Sequence, residues 1–220
     1  MIEFKNVSFS YDGASEPALL DVSFRVGKGE LAVLSAATGS GKSSVLKLLT
    51  AQEKVNSGEI TVGSYKVSTL KHSDIASYRR TIGCVFGDFQ LLEEKTVFEN
   101  IAFALEVQSK VKRQKIGDLV ESILDRVGIQ SLSDQFPRAL SLGERQRTAI
   151  ARALVTEPLL LLADNPTSML DAESARGILD LFAIEHFRGM TIFITTTEVG
   201  PIDGFPPDTK YLSLSSGRIV

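Results

Sequence analysis

The stretch AATGSGKSS, residues 36–44, combines glycines, a lysine and hydroxyl side chains at a spacing suited to phosphate binding. Gly39 and Gly41 would let backbone N–H groups turn towards phosphate oxygens, and the start of the helix predicted near Lys42 favours the same negative charge. The lysine would contact the terminal phosphates, and the Ser43 hydroxyl would join a magnesium shell. The sequence predicts a phosphate-binding loop; a glycine-rich strand-to-helix turn with an incidental lysine is the alternative.

A second stretch, LLLLADNPT (residues 159–167), is an apolar run that ends in an acid. A carboxylate placed like that of Asp164, at the end of a buried strand, can hold magnesium directly or through water. Many buried strands end in Asp, so the assignment depends on the phosphate loop upstream. The next residue is Asn165, whose amide can hydrogen-bond a water but cannot accept its proton. We therefore expect a magnesium site beside a position that lacks a general base.

Composition places the chain among ordinary globular proteins. It has 220 residues, 43% of them hydrophobic, and a formal net charge of -3, which gives no support for nucleic-acid binding. The single cysteine, Cys84, is expected to be a small buried hydrophobe in a reducing compartment. The start MIEFKNVSFSY alternates like a strand rather than a leader peptide, and no apolar run is long enough to span a membrane. We expect a cytoplasmic chain whose membrane role depends on a partner.

Strand and helix patterns alternate along the chain, which favours an α/β fold with a mostly parallel sheet covered on both faces. Strands are predicted for IEFKNVSFSY, ALLDVSFRV, ELAVLS, ITVGSYKV, LLLLAD and MTIFITT, with a hairpin over YLSLSSGRIV. Helices are predicted from Lys42, over most of 96–127, over GERQRTAIARAL and over 172–186. The helical middle third looks like an insertion into the α/β framework.

The block ALSLGERQRTAIARALVTEPLLLLADNPTSMLD, residues 139–171, resembles the segment of ABC-type ATPases that runs from the signature motif to the D-loop. The signature is LSLGE, residues 140–144, and the D-loop is SMLD, residues 168–171. Tyr11 stands where this family stacks an aromatic ring on adenine. Within the family, residues 85–107 look most like the FtsE cell-division group, to which the lipoprotein-release and macrolide-export ATPases are similar.

The resemblance implies a P-loop NTPase fold of ABC type, with an antiparallel β subdomain and an inserted helical subdomain. One domain would span 1–220, with the core and β subdomain in 1–86 and 146–220 and the helical subdomain in 87–145. ATP and Mg²⁺ would be bound between two chains packed head to tail, Ser43 and Asp164 holding the metal. The nucleotide-binding residues would be Tyr11, Ala36, Ala37, Thr38, Gly39, Ser40, Gly41, Lys42, Ser43, Ser44, Ser141, Gly143 and Asp171.

Three positions that serve hydrolysis in the family are changed. Gly87 replaces a glutamine that contacts magnesium and the attacking water, and is expected to loosen the hinge. Asn165 replaces the acid, and Thr197 replaces a histidine that contacts the γ-phosphate. Asp88 or Glu198 would replace them only through a shift of strand register. The two histidines, His72 and His186, are expected at the surface.

The sequence leaves two main hypotheses open, besides the possibility that even nucleotide binding is lost. The first is an FtsE-like ATP-binding subunit that dimerises, as a homodimer or heterodimer, and docks onto an FtsX-like membrane permease, placing it on the inner face of the cell membrane. The second is a non-hydrolysing nucleotide sensor or scaffold. The basic run KVKRQK (110–115) is expected to be a solvated loop or helix start, with acidic lipid or a partner tail as the alternative.

Overall fold

The computed structural model describes residues 1–108, 111–198 and 200–220. The strands are β1 Ile2–Phe9, β2 Leu19–Val26, β3 Leu31–Ala36, β4 Ser57–Val62, β5 Tyr65–Lys66, β6 Ile82–Phe86, β7 Leu160–Asp164, β8 Ile192–Thr196, β9 Lys210–Ser215 and β10 Arg218–Ile219. The helices are α1 Lys42–Leu49, α2 His72–Arg79, α3 Val97–Gln108, α4 Ile116–Val127, α5 Leu142–Leu154 and α6 Ala172–Phe187.

The core is a six-stranded sheet in the order β10-β9-β3-β8-β7-β6. Every neighbouring pair from β9 to β6 is parallel, and only β10 runs antiparallel to its neighbour. The carboxyl ends of β3, β7 and β8 therefore meet at one edge of the sheet. The predicted mostly parallel α/β fold is confirmed.

The second sheet is antiparallel, in the order β2-β1-β4-β5. The predicted continuous strand ITVGSYKV is wrong in one respect: it folds back at Gly63, whose φ of +57° suits a glycine turn, and β5 pairs with the end of β4. The sheet lies on the side of the molecule that carries α1.

Both faces of the core sheet are buried. Successive side chains of the strand β3 point to opposite faces, and all of them are covered. Leu31 and Val33 of β3 pack with α3, α4, α5 and α6. Ala32, Leu34 and Ala36 pack with α1 and the antiparallel sheet. Six consecutive buried residues in β3 are what a strand covered on both faces requires.

The helices α3 and α4 lie between β6 and β7 in the chain, as an inserted helical region. An ion pair with a buried carboxylate ties this region to the core: Arg126 of α4, itself partly exposed, donates to Glu185 in α6, and Arg188 also pairs with that carboxylate. Glu185 is wholly buried, so hydrogen bonds from the arginines replace those that its carboxylate would make to water. The insertion is therefore fixed to the core at a polar contact.

Several expectations for single residues are modified. Cys84 is half-buried rather than buried, and burial raises its pKa to about 11. His72 is exposed as predicted, whereas His186 is half-buried with Nδ1 enclosed. Lys110 of the basic run lies outside the described residues; 113–115 form an exposed turn of 3₁₀ helix before α4. No helix within the described residues is long and apolar enough to cross a membrane.

Candidate nucleotide site

The phosphate loop connects β3 to α1 and depends on glycine at one position above all. Gly41 has φ +97°, and a Cβ there would lie 2.3 Å from the carbonyl oxygen of Ala18. Gly39 has φ +85° but faces open space, with no atom within 4 Å of a would-be Cβ. Gly41 is thus required by the fold, whereas Gly39 leaves room beside the backbone for a ligand.

Lys42 is buried at the start of α1, and its charge is close to that of Asp164. Burial lowers the pKa of Lys42, and the nearby Asp164 carboxylate works in the opposite direction. A buried cation without a full set of protein partners is a suitable ligand for phosphate oxygens.

The loop opens into a cavity of about 490 Å³ that gathers residues from four distant parts of the sequence. Its walls are Tyr11, Ala18, Ala37, Thr38, Gly39, Gly41, Lys42, Ser43, Ser44, Asn165 and Thr197. Of the predicted loop residues 36–44, Ala36 and Ser40 do not line it, and the predicted Asp164, Ser141, Gly143 and Asp171 are not among its walls either. Ala36 is buried as the last residue of β3, and Ser40 is turned into the loop, its N–H donating to the carbonyl oxygen of Ala37.

Tyr11 is fixed at one wall of this cavity. Its hydroxyl lies 3.1 Å from the Ser44 hydroxyl, and its ring packs edge-on against Phe9. The ammonium group of Lys47 lies 4.9 Å from the ring centroid, a distance typical of a cation–π contact. The Tyr11 ring is therefore held in one orientation by its neighbours.

The carboxylate expected to bind metal, Asp164, has a partner that the sequence did not predict. Thr195, on the adjacent strand β8, donates its hydroxyl hydrogen to Asp164 Oδ1 at 2.6 Å. No group of three or more His, Cys, Asp or Glu side chains able to hold a metal occurs in the described part of the chain. One carboxylate and one hydroxyl, Asp164 and Ser43, fit Mg²⁺ that keeps waters and shares the oxygens of a bound phosphate.

Gly87 is enclosed by the segment that carries Asp164. A Cβ at Gly87 would lie 2.7 Å from the carbonyl oxygen of Asn165 and 2.9 Å from the hydroxyl oxygen of Ser168. Asn165 itself has φ +45°, a left-handed conformation that Asn adopts more readily than most residues. The backbone has thus closed into the space where a side chain at 87 would begin.

The loop that follows Gly87 is hydrogen-bonded to two neighbouring helices, and the looser hinge expected at Gly87 stays a prediction. Arg152 of α5 donates to the carbonyl oxygens of Phe89 and Gln90 at 3.0 and 2.6 Å. Asn100 of α3, wholly buried, donates to the carbonyl oxygens of three loop residues and accepts from the N–H of one of them. Glycine at 87 removes a side chain without leaving the following loop unsupported.

Neither acid considered as a replacement base lines the cavity. Asp88 and Glu198 are both exposed, and β7 and β8 pair in unbroken register up to Asp164 and Thr195. The register shift that would bring Glu198 inwards does not occur. Thr197 lines the cavity with its short side chain.

The signature residues lie at a different cavity of about 530 Å³, between the start of α5 and α6. Ser141 caps α5 in a capping box, its hydroxyl and N–H both donating to the Glu144 carboxylate. Gly143 faces Ser174, whose hydroxyl in turn donates to Asp171, the cap of α6. Within one chain, these residues do not reach the phosphate loop's cavity.

Known proteins are similar to this chain in sequence and in fold. The ABC transporter family profile matches residues 19–168. The cell division ATP-binding protein FtsE of Mycobacterium tuberculosis is 40% identical over all 220 residues and 94% of its own length. FtsE of Escherichia coli K12 is 37% identical over the full chain and 97% of its own length.

Solved structures of ABC cassettes are similar to this chain in fold. A dimeric bacterial ABC transporter cassette superposes with a TM-score of 0.87 at 27% identity, covering 100% of this chain and 96% of its own. A dimeric ATP-binding cassette in a post-hydrolysis state, bound to ADP and Pi, gives 0.86 with the same coverage. The chain belongs to the ABC transporter family of ATP-binding proteins.

Proposed function

We propose that this chain binds Mg-ATP as the ATP-binding subunit of an FtsE-like membrane complex, and that its hydrolysis is weak or lost. The observation that carries the proposal is the composition of the 490 Å³ cavity. Its walls include the phosphate loop and Tyr11 together with Asn165 and Thr197. Groups suited to binding nucleotide thus line the same cavity as groups that cannot accept or donate the proton of an attacking water.

Nucleotide binding would rest on residues whose side chains are intact in this chain. Lys42 would contact the terminal phosphates, backbone N–H groups of the loop other than that of Ser40 would surround them, and Tyr11 would support the base. Ser43 and Asp164 would hold the magnesium ion, which neutralises phosphate charge when bound.

Hydrolysis lacks three different contributions. Asn165 cannot accept the proton of an attacking water, and a positioned general base is typically worth about 10²–10⁴-fold in rate. Thr197 carries no positive charge for the γ-phosphate, and Gly87 offers no amide to the metal or the water. Because Gly87 is packed against Asn165, the two losses are linked in space.

The separate signature cavity supports a two-chain site. Ser141 and Gly143 lie away from their own chain's phosphate loop, so a second chain would supply them to each bound ATP. The dimeric cassettes among the solved structures have this overall fold. In a heterodimer, a partner with intact catalytic residues would repair only its own site, since the phosphate loop and Asn165 come from one chain.

An apolar groove of about 390 Å³ between α2, β6, α3 and α5 supports docking to a membrane partner. Phe103 and Val107 of α3 line it and remain 42% and 48% exposed. Arg79 and Arg80 line it too, which fits an amphipathic helical segment of an FtsX-like partner that carries acidic residues. Such docking would place the chain at the inner face of the membrane.

The alternative is a non-hydrolysing nucleotide sensor or scaffold. It is favoured by the contacts that fix the helical region: the pair of Arg126 with the buried Glu185 and the bonds of Arg152 to the loop after Gly87. In that case bound ATP would stabilise an assembly without driving movement.

The proposal is tested by calorimetric titration with Mg-ATP beside steady-state phosphate release, with Lys42→Ala as the control. We expect micromolar binding by the natural chain, much weaker binding by Lys42→Ala, and phosphate release far below that of ordinary ABC ATPases. Absence of binding would contradict the reading of residues 36–44. Turnover well above the Lys42→Ala background would contradict loss of hydrolysis and the scaffold alternative.

A further inference from the structure

The hydroxyl of Thr195 is buried in a strand whose preceding residues are all apolar and buried. Thr195 is wholly buried, and Ile192, Phe193 and Ile194 of the same strand are buried as well. Valine has nearly the same shape and the same preference for strands, so packing alone does not call for threonine. A buried hydroxyl costs free energy unless it is hydrogen-bonded.

Its partner is the carboxylate expected to hold magnesium. Asp164 and Thr195 are direct partners in the parallel pairing of β7 and β8, and the hydroxyl donates to Asp164 Oδ1 at 2.6 Å. Within the described residues, the other carboxylate oxygen, Oδ2, receives no hydrogen bond. The threonine thus occupies one oxygen and leaves the other open.

The same residue also holds the backbone at Asn165. The carbonyl oxygen of Thr195 accepts a hydrogen bond from the N–H of Asn165 at 2.9 Å. The side chain of a β-branched residue in a strand has few χ1 rotamers, so the hydroxyl contact to Asp164 comes from a stiff side chain. Thr195 therefore fixes Asp164 through its side chain and Asn165 through its backbone.

We propose that Thr195 is a positioning residue that orients the Asp164 carboxylate so that Oδ2 serves the magnesium ion of Mg-ATP. This inference rests on the proposed function. Hydrogen bonds to a metal-binding carboxylate set its orientation, and loss of such a bond typically costs about 10- to 100-fold in metal affinity. Thr195 therefore contributes to the affinity for magnesium and not to the affinity for the nucleotide itself.

The experiment measures ATP affinity twice by calorimetry, once in EDTA and once with excess Mg²⁺, for the natural chain and three variants. Thr195→Val removes the hydroxyl and keeps the shape, and Thr195→Ser keeps the hydroxyl. Thr191→Val is the matched control: Thr191 is also buried beside β8, but its hydroxyl accepts from the N–H of Gly29.

We expect Thr195→Val to bind ATP in EDTA like the natural chain and to lose about 10- to 100-fold of the gain that Mg²⁺ produces. Thr195→Ser and Thr191→Val should keep that gain within a few-fold. A full Mg²⁺ gain in Thr195→Val, or a lost one in Thr195→Ser, would overturn the inference alone. Failure of the natural chain to bind ATP in both conditions would overturn the proposed function and this inference with it.

Discussion

Replacing Gly87 by alanine tests whether the space beside the phosphate site has closed around this residue. The new methyl group would lie 2.7 Å from the carbonyl oxygen of Asn165, 2.9 Å from Ser168 Oγ and 3.4 Å from the carbonyl oxygen of Asp164. The first contact is with backbone, so it can be relieved only if the segment after β7 moves. We therefore expect Gly87→Ala to destabilise the chain.

The size of the effect follows from two opposing terms. Overpacking of this kind costs about 1–3 kcal/mol. Replacing glycine also removes freedom from the unfolded chain, which returns about 0.4–1 kcal/mol. The net loss is about 1 kcal/mol, and with a urea dependence of about 2 kcal/mol per molar the unfolding midpoint should fall by about 0.5 M.

Gly117→Ala is the matched control for this measurement. Gly117 lies in α4, and a Cβ there would have no atom within 4 Å. Alanine in a helix is more favourable than glycine by up to about 1 kcal/mol, so the midpoint should stay or rise. The packing at Gly87 would be refuted if Gly87→Ala unfolded at the natural midpoint or above it while the control behaved as expected.

Two further predictions concern charge. Arg126→Ala should lower the free energy of unfolding by about 3 kcal/mol, because it removes a partner of the buried Glu185 carboxylate. The control Arg176→Ala breaks an exposed pair with Asp180 and should change that free energy by less than about 0.5 kcal/mol. Equal urea midpoints for the two variants would contradict the prediction. Cys84, whose pKa is raised to about 11 by burial, stays protonated until the pH approaches that value, so alkylation at pH 8 should be on the order of 100-fold slower in the folded chain than in urea. Equal rates in the two conditions would show that the thiol is not protected.

The sequence predicts the parts of the fold that have strong local patterns. The apolar run before Asp164 and the stretch ELAVLS are strands buried on both faces, and such runs are recognisable without knowledge of the tertiary structure. The helix α2 lacks this signal, because Tyr78 is its only buried residue. Strand β6, part of the stretch TIGCVF, was not assigned from the sequence either.

The site also has one part that the sequence predicts and one part that it does not. Residues 36–44 form a contiguous pattern, so the phosphate loop is readable from the chain alone. The contact of Thr195 with Asp164 requires that β7 and β8 are neighbours and pair in this register, and the sequence alone does not predict that pairing. The enclosure of Gly87 by Asn165 likewise follows from how two distant loops meet.

The central claim is that ATP binding is kept while three separate contributions to hydrolysis are lost. It is tested most directly by steady-state phosphate release from the Asn165→Glu variant at saturating Mg-ATP. Restoring the acid alone leaves Thr197 without positive charge and Gly87 without an amide, and it places Glu in a left-handed conformation that suits Asn. We predict turnover that remains close to the Lys42→Ala background. Turnover typical of an ordinary ABC ATPase would contradict the account.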